Sequence, residues 1–302
     1  MTQRILVAGG LNVDVKGAIG RTDWAMQTSN PGQIWSTLGG VGCNIAVNLA
    51  ALGCDVQLAA PVGGDADGRF ALTELAHAGV KVVSELCGLE GRTGRYLAVL
   101  DASGELVVAV SDMGILESFT PTVYDSVRRT CDKPAVMCLD ANLREDTLQH
   151  ALLCAQADGI RSLVDPVSTP KARKLLRCLD SIDLLKPNLD ELAILARLPV
   201  AGIADVRSAV ARLLGEGVGG VIVSMGQEGV YYRTRDDEGH VLAAELSVID
   251  ATGAGDAFSA GVIAGMAQQW TLAECVQSGQ DLAARVLRSV RSTLTREDRK
   301  GT

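Results

Sequence analysis

From about residue 120 the chain alternates short apolar runs with amphipathic ones, and every apolar run stops at a polar or glycine-rich turn. Residues 136–139 stop at Asp140-Ala141-Asn142-Leu143, 162–164 at Asp165-Pro166, 182–185 at Lys186-Pro187-Asn188, and 221–224 at Met225-Gly226. Helical patterns fall between them, over about 145–157, 171–178, 191–196 and 205–214. Continuous apolar runs of this kind read as strands buried on both faces. Strands separated by helices return to one sheet through right-handed crossovers, which places helices on both sides of a mostly parallel sheet. The N-terminal part follows the same plan, with strands over 5–8 and 56–61 and helices over 45–52 and 68–78 that end at Gly53 and Gly79. The expected fold class is α/β, with three layers and a mostly parallel central sheet.

Two stretches break this alternation. Residues 15–19 and 33–37 read as short strands around Ser29-Asn30-Pro31-Gly32, and 94–100 and 105–111 read as a hairpin around Asp101-Ala102-Ser103-Gly104. Inserted strands from about 15–37 and 94–111 therefore predict one small sheet standing off a single domain that spans 1–302. Later, 229–233 and 242–246 read as a further strand pair. One helix starts near 271, another covers about 279–289, and a polar tail follows.

Composition narrows the function. Of 302 residues, 47% are hydrophobic and 21% charged, which supports a large core and argues against disorder. Aromatics at 3% argue against stacking platforms for single-stranded nucleic acid, and a net charge of −8 argues against a duplex-binding surface. The eight cysteines form no CxxC pair, so reduced, mostly buried thiols are expected. The opening MTQRILVAGG runs straight into a strand with no signal peptide, and no apolar run has the length of about 20 residues that spans a membrane. A cytoplasmic protein with no membrane or nucleic-acid partner is expected.

The stretch 248–266 carries most of the chemistry. It begins as the end of an apolar strand, breaks into small residues over 250–256, and becomes a helix over about 257–266. Gly253, Ala254 and Gly255 leave almost no side chain at the break, so the free N–H groups of a helix start can close on an anion. Asp256 sits at the same place. It is either a helix N-cap or the acceptor of a proton from a hydroxyl that attacks a phosphoryl group held by the glycines. Asn12 and Asp14 follow the first strand, where ligands bind in parallel α/β folds, unless Asp14 is a solvated turn residue. The cluster Gly39-Gly40-Val41-Gly42-Cys43-Asn44 opens a helix, permitting either close backbone approach to a ligand or tight helix–sheet packing.

Four motifs now coincide: Asn12-x-Asp14, Gly39-Gly40-x-Gly42-x-Asn44, Asn188-x-x-Glu191 and Asp250-x-Thr252-Gly253-Ala254-Gly255-Asp256. In this order and at these distances the chain resembles the ribokinase-like (PfkB) carbohydrate kinases over about residues 4–290. The resemblance implies a small β lid over the active site and transfer of the γ-phosphoryl of ATP to an alcohol. It implies Asp256 as catalytic base, with Gly253, Ala254 and Gly255 holding the transferred group. Asn12, Asp14, Gly40 and Asn44 would bind the sugar. Asn188 and Glu191 would organise Mg²⁺ through water, and Ser224, Gly226, Gly229 and Thr252 would lie along the nucleotide. Asp250 and the Thr252 carbonyl match a site for K⁺ whose other ligands come from 287–293. There Arg288 and Arg291 depart from the expected small residues, and an arginine can replace the cation. The lid implies a homodimer.

Within the family, Ser29-Asn30-Pro31-Gly32, Ser111-Asp112-Met113, Asp140-Ala141-Asn142-Leu143, Val164-Asp165-Pro166-Val167-Ser168 and Leu185-Lys186-Pro187-Asn188 are most similar to members that act on pseudouridine. This implies the 5′-hydroxyl of that nucleoside as acceptor, with Asn30, Thr93, Asp112 and Met113 beside the base. The alternative acceptor is another nucleoside or a free sugar such as ribose or fructose. The non-enzyme alternative, a nucleotide-binding sensor or an inactive homologue, sits poorly with intact Asp256, Gly253, Gly255, Asn188 and Glu191.

Overall fold

The structure, a computed structural model, describes residues 3–243, 251–289 and 292–295. In chain order the elements are β1 (Arg4–Ala8), β2 (Asn12–Ile19), β3 (Gly32–Gly39), α1 (Val41–Ala51), β4 (Asp55–Ala59), β5 (Val62–Gly63), α2 (Ala66–Ala78), β6 (Lys81–Val82), β7 (Cys87–Leu89), β8 (Arg95–Leu100) and β9 (Leu106–Asp112). There follow α3 (Pro121–Thr130), β10 (Val136–Asp140), α4 (Glu145–Asp158), β11 (Arg161–Asp165), α5 (Thr169–Ala172), β12 (Leu184–Leu185), α6 (Leu189–Ala196), α7 (Ile203–Gly215), β13 (Gly220–Ser224), β14 (Val230–Arg233), β15 (Glu238–Val241), α8 (Ala254–Ala267) and α9 (Leu272–Leu287).

The central sheet has the strand order β15-β14-β13-β12-β11-β10-β1-β4-β6, and β14 alone runs against the other strands. Successive strand residues point to opposite faces, so each strand feeds two cores. On one face Ile5, Val7, Val136 and Cys138 pack with α1, α2, α8 and α9. On the other, Leu6, Ala8, Met137 and Leu139 pack with α3, α4, α6 and α7. This double burial is why β10 reads as an unbroken apolar run and is buried along its whole length.

A second sheet, in the order β3-β2-β8-β9, forms the lid. Its first strand pair is longer than the sequence suggests. β2 already begins at Asn12 and β3 ends at Gly39, with Asn12 paired to Gly39 and Asp14 to Thr37. Asn12 and Asp14 therefore sit on the first lid strand and not in a turn after β1. The hairpin turn is closed by Asp101, whose Oδ1 accepts from the N–H groups of Ser103 and Glu105.

Other expectations need correction. The helix expected over 171–178 is a four-residue α5 continued as a 3₁₀ turn over Arg173–Arg177. The two helices expected after residue 271 are one, α9, because Gly279 in its middle is the point where it meets α8. The antiparallel partner of β14 is β15 at Glu238–Val241, not a strand at 242–246; residues 244–246 lie outside the described residues. All eight cysteines are free. Among the described residues no helix is long and apolar enough to cross a membrane.

The α8–α9 contact fixes the helix that carries Asp256. A Cβ on Gly261 would stand 2.6 Å from the Ser278 carbonyl oxygen and 2.7 Å from Gly279 Cα, and one on Gly279 would meet the Phe258 ring at 2.8 Å. Backbone atoms cannot yield cheaply, so Gly261→Val should separate the two helices. Overpacking of this kind costs about 1–3 kcal/mol. The expected result is a lower midpoint in urea unfolding together with reduced activity; an unchanged midpoint would show that the contact is dispensable.

Candidate active site

The carboxyl ends of β1, β10, β11 and β12 converge on the N-termini of α1 and α8, and Asn44 and Asp256 lie there. α8 starts at Gly253, whose φ of 81° is a backbone region that glycine adopts freely. A Cβ at Gly253 would also stand 2.2 Å from the Ser292 carbonyl oxygen, so the C-terminal segment runs against this loop. Asp256 is the third residue of α8, and Gly253, not Asp256, is the N-cap. The capping reading of Asp256 is thereby removed. Its carboxylate Oδ2 accepts a hydrogen bond from Asn44 Nδ2 at 2.8 Å. Burial and the nearby Asp165 carboxylate push its pKa up to about 7, against the opposing pull of Asn44 and Lys186. The N–H groups of Gly255 and Asp256, in the first helical turn, have no intrahelical acceptor, and the helix dipole adds positive potential there.

Beneath this helix start lies a buried polar cluster. Lys186 Nζ, at the end of β12, donates to Asp165 Oδ2 at 3.0 Å and reaches the Gly255 carbonyl oxygen at 3.4 Å. Ser259 Oγ donates to the same Asp165 oxygen at 3.1 Å, and the Val167 N–H binds the other at 2.9 Å. Asp165 is thus tied to α8 and to the end of β12 at once. Asp140, fully buried beside it in the register of β10 and β11, accepts from the N–H groups of Gly10 and Gly42 at 2.8 and 2.7 Å. Its pKa is raised by burial and held back by those bonds. Asp140 therefore clamps both glycine turns. A Cβ on Gly9 would collide with it at 2.4 Å, and one on Gly40, at φ 97°, would strike the Gly10 carbonyl at 2.5 Å.

Asp165, Lys186 and Asp140 stood in the sequence as polar strand ends and as parts of motifs shared with the family, with no role in the site attached. Asn48 was missed altogether because it reads as one polar residue in an apolar helix. It is fully buried, donates to the Asn44 carbonyl at 3.0 Å and accepts from the Leu294 N–H at 2.9 Å, joining α1 to the C-terminal segment.

Of the expected sugar-site residues, Asn12 and Asp14 are in direct contact, and Asn44 is joined to Asp256. Asn12 Nδ2 donates to Asp14 Oδ1, and a Cβ on Gly39 would meet both side chains. Burial raises the Asp14 pKa, with Asn12 opposing the shift. Asn44 is buried, and its Oδ1 has no hydrogen-bond partner among the described residues. Met113 lies at the lid base, where a Cβ on Gly94 would meet its sulfur at 3.1 Å and Asn12 Cβ at 3.2 Å.

The remaining lid candidates sit differently. Asn30 turns its amide back on its own loop, bonding the Ala25 N–H at 3.0 Å and the Ala25 carbonyl at 2.8 Å. Thr93 is buried; its hydroxyl donates to Asp65 Oδ1 at 2.6 Å and accepts from the Gly63 N–H at 3.1 Å, fixing the start of α2. Asp112 is exposed at the end of β9.

Asn188 and Glu191 form a reciprocal capping box on α6, each accepting the other's backbone N–H at 2.9 Å. Glu191 is nonetheless buried, and burial raises its pKa. With Oε2 committed to the cap, Oε1 is the oxygen left for a hydrated cation. Ser224 ends β13 and pairs with Asn188, and the turn that follows runs through Gly226 to Gly229. A Cβ on Gly229 would overlap the Val241 carbonyl, whereas one on Gly226 would meet nothing. Asp250 and Arg291 of the expected K⁺ site lie outside the described residues; Thr252 and Arg288 lie within them.

The pfkB family carbohydrate kinase pattern matches residues 2–299. The chain is 34% identical to the pseudouridine kinase of Escherichia coli over 94% of its own length and 90% of that protein's. Among solved structures, a carbohydrate kinase from Agrobacterium tumefaciens superposes with a TM-score of 0.87 at 32% identity, covering 99% of this chain and 96% of the other. The ribokinase of Arabidopsis thaliana, solved with ribose and ATP, has the same fold at a TM-score of 0.81 and 21% identity, covering 99% and 98%. A family match over nearly the whole chain and a ribokinase-like fold identify the protein as a member of the pfkB carbohydrate kinase family, a phosphotransferase that acts on an alcohol group of a sugar or nucleoside.

Proposed function

We propose that this chain transfers the γ-phosphoryl group of ATP to the 5′-hydroxyl of pseudouridine. The observation that carries the reaction type is the Asp256 carboxyl, held by Asn44 at the first turn of α8 with a pKa of about 7. A base is most effective with its pKa near the working pH. Asp256 accepts the proton as the hydroxyl oxygen attacks. The N–H groups of Gly255 and Asp256, within the Gly253-Ala254-Gly255 turn, take up charge on the transferring group. Asn44 Oδ1, buried with no partner among the described residues, accepts from a sugar hydroxyl, and Asp14 offers charge-assisted acceptors to others.

Identity to the Escherichia coli pseudouridine kinase over nearly the full chain supports the acceptor. Another nucleoside or a free sugar would use the same Asp256 chemistry with different lid contacts. ATP as donor is supported by the family and by the ATP-bound ribokinase of the same fold. Glu191 Oε1 is a hard oxygen donor behind a capping box, which suits Mg²⁺ held through its waters. When bound, Mg²⁺ would neutralise phosphate charge; Asn188 and Glu191 would position its hydration shell.

The lid face opposite Asp14 supports a homodimer. Ile34, Leu97, Val108 and Val110 share that face by register and are 80%, 42%, 53% and 59% exposed. An adjacent apolar surface of this kind is covered in stable proteins. Light scattering should give a dimer mass, and Val110→Asp a monomer. A monomeric wild-type protein at micromolar concentration would remove the homodimer from this reading.

The direct test is ADP formation from Mg-ATP with pseudouridine, uridine, adenosine, ribose and fructose. Preference for pseudouridine is expected, and preference for ribose would overturn the acceptor while leaving the reaction type intact. Asp256→Asn should lower kcat by about 10²–10⁴-fold, the usual contribution of a positioned base; a near-normal rate would remove Asp256 from that role.

The raised pKa also sets a pH dependence. Only the deprotonated carboxylate accepts a proton, so kcat/KM should fall as pH drops through about 7. Lys186 pulls this pKa down, so Lys186→Met should move the midpoint upward. A profile flat from pH 8 to 5 would contradict the assignment.

A further inference from the structure

Away from the kinase site, α3 and α4 bring three metal-binding side chains together. His150 and Cys154 are one turn apart on α4 and share a face. Asp125 comes from α3. His150 Nε2 lies 2.8 Å from Asp125 Oδ1 and 3.7 Å from Cys154 Sγ, and all three donor atoms fall within 4.8 Å of one another. We propose that Asp125, His150 and Cys154 form a site for a divalent transition-metal cation of the Zn²⁺ type, which staples α3 to α4.

The geometry and the donor set agree on this. With Zn–N near 2.0–2.1 Å and Zn–S near 2.3 Å, tetrahedral ligands place nitrogen and sulfur about 3.6 Å apart. The observed 3.7 Å already matches. The Asp125 oxygen needs to move outward by about half an ångström to reach the corresponding nitrogen–oxygen spacing, and its side chain is 41% exposed, so it can. Imidazole, thiolate and carboxylate together favour Zn²⁺ over Mg²⁺ or Ca²⁺, which prefer all-oxygen sites. The partial exposure of Asp125 and His150 leaves a fourth position for water.

The surroundings hold the donors in place. The Tyr124 ring meets the His150 ring edge-on at 5.9 Å and 87°, fixing its orientation. Arg128 Nη1 reaches Cys154 Sγ at 3.7 Å, and its charge is balanced by Asp158, which it grips at 2.9 Å and 2.7 Å. Asp125 and a Cys154 thiolate then balance the charge of one divalent cation.

This site lies on the side of the sheet opposite α8, so it takes no part in phosphoryl transfer. Its effect is mechanical. α3 follows the last lid strand through the turn at Gly114–Ser118, and α4 follows the strand that ends in Asp140. A metal here would lock together the supports of the lid and of the glycine clamp.

The test uses chelator-treated full-length protein, without nucleotide, titrated with Zn²⁺ by calorimetry and with Co²⁺ by absorption. The expected result is one Zn²⁺ per chain, a Tm rise of about 5 °C at a hundredfold excess over Kd, and a thiolate-to-Co²⁺ charge-transfer band. Cys154→Ser should abolish the band, and Cys154→Ser and Asp125→Asn should each weaken Zn²⁺ binding by at least about tenfold. Cys131→Ser should change neither, and kinase activity should survive Asp125→Asn. Absence of a one-to-one site would overturn the proposal, as would Zn²⁺ binding that is unaltered in both Cys154→Ser and Asp125→Asn.

Discussion

The site depends on one arrangement of charge. Four ionisable groups, Asp140, Asp165, Lys186 and Asp256, gather where parallel strands end and α8 begins. A lone lysine cannot neutralise three carboxylates, so some of that charge must be suppressed or spread over hydrogen bonds. Asp140 spreads it over the N–H groups of two glycine turns, and Asp165 over Lys186, Ser259 and Val167. Among the described residues Asp256 takes its hydrogen bond from Asn44, and burial beside Asp165 raises its pKa to about 7.

The same arrangement explains the small residues around it. Gly9 and Gly42 make room for the Asp140 carboxylate, Gly40 for the Gly10 carbonyl, and Gly253 for the backbone at Ser292. The helix behind them is held by another bare contact, Gly261 against Gly279. Reactive groups sit on rigid elements, and the space they need is cleared by omitting side chains. The lid is built on the opposite logic. It joins the domain at Asn12 and Gly39 and carries Asp14 on one face and exposed apolar residues on the other.

Legibility followed the range of the interaction. Strands buried on both faces announced themselves as unbroken apolar runs, and α8 as a run of small residues. The glycine–aspartate motif proposed to carry the reaction was legible because its parts lie within a few residues of each other. Asn30 and Thr93 illustrate the other case. As polar residues near the lid they were natural candidates for touching a ligand, yet one closes its own loop and the other caps a distant helix through Asp65. Which partner such a side chain finds depends on what is folded beside it. The division of α9 into two helices at Gly279 failed for the same reason: glycine there weakens the local helix signal but permits the contact with Phe258 and Gly261.

By itself, the sequence determined the alternation of strand and helix, the parallel sheet, the lid insertions and the identity of the glycine–aspartate turn, because each is encoded in periodicity or in neighbouring residues. Only the tertiary structure decided that Asp256 is not a cap, that Asn44 reaches it from 212 positions away, and that Asp140 holds two separate turns. It likewise brought Asp125 to His150 and Cys154 across two helices. Those contacts join segments that are far apart in the chain, and their geometry is set by how the layers pack, which no local pattern records.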